Sequence, residues 1–73
     1  MRLAPLLATM SVAAVASAGP TKQQCVDADT WGQSHRQEGH LHAARADFRA
    51  CLDPSCPTVV RSDCKMRLDE VES

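Results

Sequence analysis

The chain has 73 residues, eight Lys/Arg and nine Asp/Glu, for a formal net charge of −1. An 18-residue leader, argued next, leaves 55 residues with seven basic and nine acidic side chains, a formal −2. So short and acidic a remainder excludes two domains, a catalytic cleft of ordinary depth and the basic footprint of a nucleic-acid binder.

The opening has one basic residue, Arg2, then an uncharged run over residues 3–16, then Ala16-Ser17-Ala18. This three-part layout predicts a secretory signal peptide over residues 1–18, cut between Ala18 and Gly19. The alternative is an uncleaved anchor, but the run contains Pro5 and falls short of the ~20 apolar residues of a membrane span. A lipoprotein would need a Cys directly after the leader box, and Cys25 follows Lys22-Gln23-Gln24 instead. The expected location is periplasmic or secreted. No second apolar run follows, so no membrane contact is expected after cleavage.

All four cysteines, Cys25, Cys51, Cys56 and Cys64, lie in the remaining part. Behind a signal peptide this reads as two disulfides. There is no CxxC pair of the kind that zinc or redox sites use, and no cofactor is implied. His40-x-His42 with Cys51 is the one combination that suggests a secreted Cys/His metal-binding protein.

Residues 19–73 read as a single helical domain. Thr21-x-x-Gln24 fits a capping box, and Cys25, Ala28, Trp31/Gly32 and His35 recur at helical spacing. Gly39 is placed to stop that helix in a left-handed conformation. Leu41, Ala44, Phe48 and Cys51/Leu52 form the stripe of a second helix, with Arg45, Asp47 and Arg49 on its opposite face. Asp53-Pro54-Ser55 is turn chemistry, with Ser55 able to cap a third helix and Pro57 in its first turn. Val60, Cys64, Leu68 and Val71 continue at helical spacing, and Asp63 and Arg67 form an i,i+4 pair. The spacing predicts helices over 22–38, 41–52 and 57–72. Connections this short make neighbours antiparallel. The fold class is therefore all-α: a short antiparallel three-helix arrangement, a helical hairpin plus a capping helix, stapled by disulfides.

The first two helices resemble one tetratricopeptide unit, which carries Trp-x2-Leu-Gly-x2-Tyr on its first helix and Ala-x3-Phe on its second. Gly32 and His35 take the spacing of the Gly and Tyr, and Ala44-x3-Phe48 matches the second motif. Trp31 stands in place of the Leu, Ala28 in place of the Trp and His35 in place of the Tyr. The resemblance implies that Gly32 and Ala44 let two helix backbones approach, with Phe48 and Trp31 packed beside them. A second string runs Cys25…Gln37-Glu38-Gly39-x-Leu41-x-x-Ala44-Arg45…Cys51…Cys56-Pro57-x-x-Val60-Arg61-x-Asp63-Cys64…Leu68-x-Glu70-Val71. It resembles the cysteine-bearing N-terminal helical module of exported Gram-negative bacterial envelope proteins. In those a β-rich domain often follows, so a chain stopping at Ser73 reads as a truncated or solitary version. That resemblance implies a scaffold or interaction role.

Trp31, the only Trp, is expected in the core against Phe48. His35, His40 and His42 read as surface or turn residues, and Asp27/Asp29 and Asp69/Glu70/Glu72 as solvated carboxylates. No flanked nucleophile or phosphate loop is present, so no enzyme is expected. Ten large apolar residues (Val26, Trp31, Leu41, Phe48, Leu52, Val59, Val60, Met66, Leu68 and Val71) make a marginal core, which assigns the cysteines a structural role. Cys56 and Cys64 lie about 12 Å apart along one helix and cannot pair. Of the two connectivities left, Cys51–Cys56 with Cys25–Cys64 leads, because Cys51 and Cys56 flank the Asp53-Pro54 turn.

The leading function is an exported, non-catalytic interaction module docking on another envelope or secreted protein. The alternatives are a small secreted disulfide-rich effector or ligand peptide, and the metal-binding protein above. Mass spectrometry of the exported product should find a chain beginning at Gly19; a membrane-held product retaining Met1 would contradict the leader assignment.

Overall fold

The computed structural model describes residues 19–73; the expected signal peptide, and Ala18 of its cleavage site, lie outside them. Three helices follow one another: α1 (Lys22–Gln37), α2 (Leu41–Ala50) and α3 (Thr58–Glu72). Among the described residues there is no strand, and two disulfides cross the fold.

Each helix boundary has a local cause. At α1 the capping box forms: Gln24 N donates to Thr21 Oγ1 at 3.1 Å, and Thr21 N donates to Gln24 Oε1 at 2.8 Å. Two otherwise orphaned amides are satisfied. At the other end Gly39 takes φ +80°. Gly39 N donates to the Arg36 carbonyl at 3.1 Å and His40 N to the His35 carbonyl at 2.8 Å. This is the Schellman pattern, and it turns the chain directly into α2.

The second connection departs from expectation. α2 ends at Ala50 rather than at Leu52, and the N-cap of α3 is Pro57, without a side-chain cap bond. Ser55 does not cap α3. It belongs to a turn in which Asp53 Oδ1 accepts from Ser55 N at 2.9 Å and from Ser55 Oγ at 2.7 Å. An Asp side chain that bonds two residues ahead competes with helix extension, so α2 stops early.

The core consists of Cys25, Ala44, Phe48, Cys51, Cys56, Cys64 and Leu68, with Ala28, Leu52, Val60 and Val71 packed against it. Phe48 is fully buried. Its ring lies over Gly32: a Cβ built on that glycine would sit 2.6 Å from Phe48 Cδ1 and 2.8 Å from Cζ. Gly32 thus makes room for the ring, and Ala44 is fully buried on the same stripe of α2 as Phe48.

Trp31 is not in this core. It is 59% exposed, and Val26, Leu41, Val59 and Met66 are also exposed. The physical reason is helical phase. Cys25, Asp29 and Gly32 are the buried residues of α1, and Trp31, at about 100° per residue, falls about a third of a turn off the centre of that stripe. The core volume expected of Trp31 is supplied by cystine sulfur and one phenyl ring.

The pairing also corrects the expected connectivity. Cys25 pairs with Cys56, Cα atoms 5.8 Å apart, and Cys51 pairs with Cys64, Cα atoms 6.1 Å apart. Cys51 and Cys56 flank the turn but go to different helices. Cys64 lies on the buried stripe of α3 with Leu68 and meets the end of α2. The Asp53 turn, closed by Cys56 N donating to the Asp53 carbonyl at 2.8 Å, leaves Cys56 to meet the first turn of α1.

Gly32→Ala should destabilise the protein by about 1–3 kcal/mol, because the new methyl meets a ring with no free side to move to. Phe48→Ala should cost about 3–5 kcal/mol. Urea unfolding of the oxidised variants checks both; a neutral Gly32→Ala would place the ring elsewhere.

Candidate functional site

Two clusters of side chains go beyond core packing. The first lies between α1 and α3. Asp29 shares the buried stripe of α1 and is itself buried, not solvated as its neighbour Asp27 is. Gln33, one turn on, donates Nε2 to Asp29 Oδ1 at 3.2 Å and to the Asp29 carbonyl at 3.3 Å. From α3, Arg67 Nε stands 3.2 Å from Asp29 Oδ1, and Arg67 Nη2 stands 3.7 Å from Asp63 Oδ2. The expected Asp63/Arg67 pair therefore exists, but its arginine also bridges to a buried carboxylate on another helix.

Burial raises the Asp29 carboxyl above its ordinary value of 3.8. The Gln33 hydrogen bond and the Arg67 charge oppose that rise, and the Asp63 carboxylate adds to it. With Asp29 buried and its partners half-buried, the cluster acts as a tie from α1 to α3. Arg36 to Glu70 at 2.7 Å joins the same helices at the surface, and Arg49 to Glu72 at 2.5 Å joins α2 to α3.

The second cluster lies along the edge between α1 and α2. His35 is half-buried, and its Nδ1 donates to Asp47 Oδ2 at 2.6 Å, since a carboxylate can only accept. Asp47, read from the sequence as part of a solvated face, thus reaches across to α1. Trp31 stacks on His35, ring centroids 6.1 Å apart and planes 28° apart, and the His40 ring centroid lies 6.1 Å from that of His35, tilted by 43°. An exposed indole is held in place by an imidazole that is itself fixed by a carboxylate on the next helix.

The sequence-expected site residues divide as follows. The four cysteines, Gly32, Ala44 and Phe48 come together in the core. Trp31 stands apart from them, and Gly19 lies beside the Asp53 turn. The metal combination is not available, because Cys51 is bonded to Cys64 and offers no thiolate to His40 and His42. Among the described residues no group of three or more His, Cys, Asp or Glu is arranged to hold a metal ion. Asp29, expected among solvated carboxylates, is buried instead. Its signal was its spacing: four residues after Cys25 and three before Gly32, it had to share their inward face.

No protein-family model, no curated protein and no solved structure matches this chain.

The Asp29 cluster has a pH signature. With its folded value raised, Asp29 keeps a proton that the unfolded chain releases just above pH 3.8. Its contribution to stability is therefore present at low pH and lost as pH rises through the folded value. Asp29→Asn should gain stability relative to the parent between about pH 3 and about pH 7. Arg67→Met, which leaves the carboxylate without its cation, should cost about 1–3 kcal/mol at neutral pH and less in acid. Denaturant unfolding across that range measures both, and parallel profiles for parent and Asp29→Asn would contradict the cluster.

Proposed function

We propose that this protein is an exported, disulfide-stapled helical interaction module that docks on another envelope or secreted protein through the Trp31 edge. The observation that carries this reading is Trp31 itself. A core filled by two cystines and one Phe leaves the chain's largest apolar side chain 59% in solvent, yet braced by His35 and Asp47. Trp is a frequent anchor at interfaces, and an anchor fixed before binding loses less side-chain freedom.

The chemistry of the partner follows from the surrounding charge. Asp27 lies one turn before Trp31 and Glu38 two turns after it, and both are exposed. An indole face flanked by carboxylates suits an Arg- or Lys-bearing segment, through cation–π contact and ion pairing. Two disulfides fit an oxidising extracellular environment, and no helix among the described residues is long and apolar enough to cross a membrane. The finer location, periplasm or secretion beyond it, rests on the leader of residues 1–18.

A photo-crosslinking residue placed at Thr30, exposed and next to Trp31, tests this in the exporting cell and leaves the indole in place. One discrete adduct is expected from position 30, and Trp31→Ala, Asp27→Lys or Glu38→Lys should weaken it. The same probe at Lys65, an exposed residue of α3, should give none. Equal crosslinking from both positions, or none from position 30, would overturn the reading in favour of a free secreted ligand.

A further inference from the structure

The first two described residues are held against the turn that joins α2 to α3. Gly19 takes φ +85°, a conformation that side-chain-bearing residues rarely adopt. A Cβ on it would sit 2.8 Å from Ser55 Oγ and 3.1 Å from Asp53 Oδ1, so the position requires glycine twice over. Ser55 Oγ also donates to the Pro20 carbonyl at 3.2 Å. The Cys25–Cys56 bridge pins this turn to the start of α1, which keeps Gly19 and Asp53 together.

We propose that cleavage of the Ala18–Gly19 bond creates the missing half of an ion pair, the Gly19 α-ammonium, which docks on the Asp53 carboxylate and latches the new N-terminus to the α2–α3 turn. The inference rests on the export reading for the cut itself. A signal peptidase adds water across the peptide bond, leaving a carboxylate on Ala18 and an amine on Gly19 that takes up a proton. The site that a Cβ on Gly19 would fill lies 3.1 Å from Asp53 Oδ1. Once Ala18 is removed, rotation about the Gly19 Cα–C bond carries the amine nitrogen, bonded to Cα at about 1.5 Å, to that site. Ser55 engages Oδ1 only, so Oδ2 is open to a second donor among the described residues. The two Ser55 bonds hold Asp53 below its ordinary carboxyl value, backbone amide first and hydroxyl second, so at neutral pH it is charged together with the ammonium. Before cleavage the same nitrogen is an uncharged amide, so the latch reports that processing has occurred.

The test uses the full chain expressed with its leader, and the oxidised product purified after export. N-terminal sequencing and α-amino titration are then made on the parent and on Asp53→Asn. Asparagine keeps the Oδ1 acceptor for Ser55 but carries no charge. The expected result is a chain beginning at Gly19 whose α-amino pKa lies at least about half a unit above that of Asp53→Asn, with the unpaired value near 7.7–8.0. A raised ammonium value means that the latch contributes below that unpaired value and is lost as pH rises through the folded one. In the parent alone, the Asp53 side-chain carbon resonance should step at the α-amino pKa, a readout that needs no variant. A product that retains Met1 overturns the export reading and the latch with it, and one cut at any other bond overturns the latch alone. A product starting at Gly19 with equal α-amino values, or with no step at Asp53, overturns the latch and leaves export standing.

Discussion

The two buried disulfides are the constraint on which the rest of the structure depends. Cys51 and Cys56 stand at the two ends of the α2–α3 turn, yet each is bonded to a different helix, Cys64 on α3 and Cys25 on α1. The turn is thereby fixed to both of its neighbours, and helix order and register follow. All four cysteines are at most 3% exposed, so the cystines also fill the centre that aliphatic side chains occupy in larger domains. With five of ten large apolar residues left in solvent, hydrophobic burial alone is a weak basis for so short a fold.

Around this centre the helices are tied by polar contacts that differ in depth. Arg36–Glu70 and Arg49–Glu72 are exposed and contribute little each. Asp29 is buried, with the half-buried Gln33 and Arg67 set around it, and this cluster fixes how α1 faces α3. His35 and Asp47 do the same between α1 and α2, and they hold Trp31 at the rim. The exposed indole is thus a product of the same packing that excludes it.

What was legible in the sequence was mainly local. Thr21-x-x-Gln24 and Gly39 announce the ends of α1 because caps depend on neighbouring residues alone. Helical spacing announces three helices and the Ala44 and Phe48 stripe of α2. The cysteine pairing was not legible, since it depends on how a six-residue turn folds back, and flanking a turn favoured Cys51–Cys56 on proximity alone. Trp31 and Asp29 were misplaced for a shared reason. Residue type was weighed over helical phase, and phase carries the larger Trp outward and the charged Asp inward.

In this protein the cystines stand in for a larger hydrophobic core. Far-ultraviolet circular dichroism of the chain, recorded oxidised and then with all four thiols reduced and blocked, tests this most directly. A cooperative loss of most helical signal on reduction is the predicted result. A reduced chain that keeps its full helical signal and melts at the oxidised temperature would contradict the account.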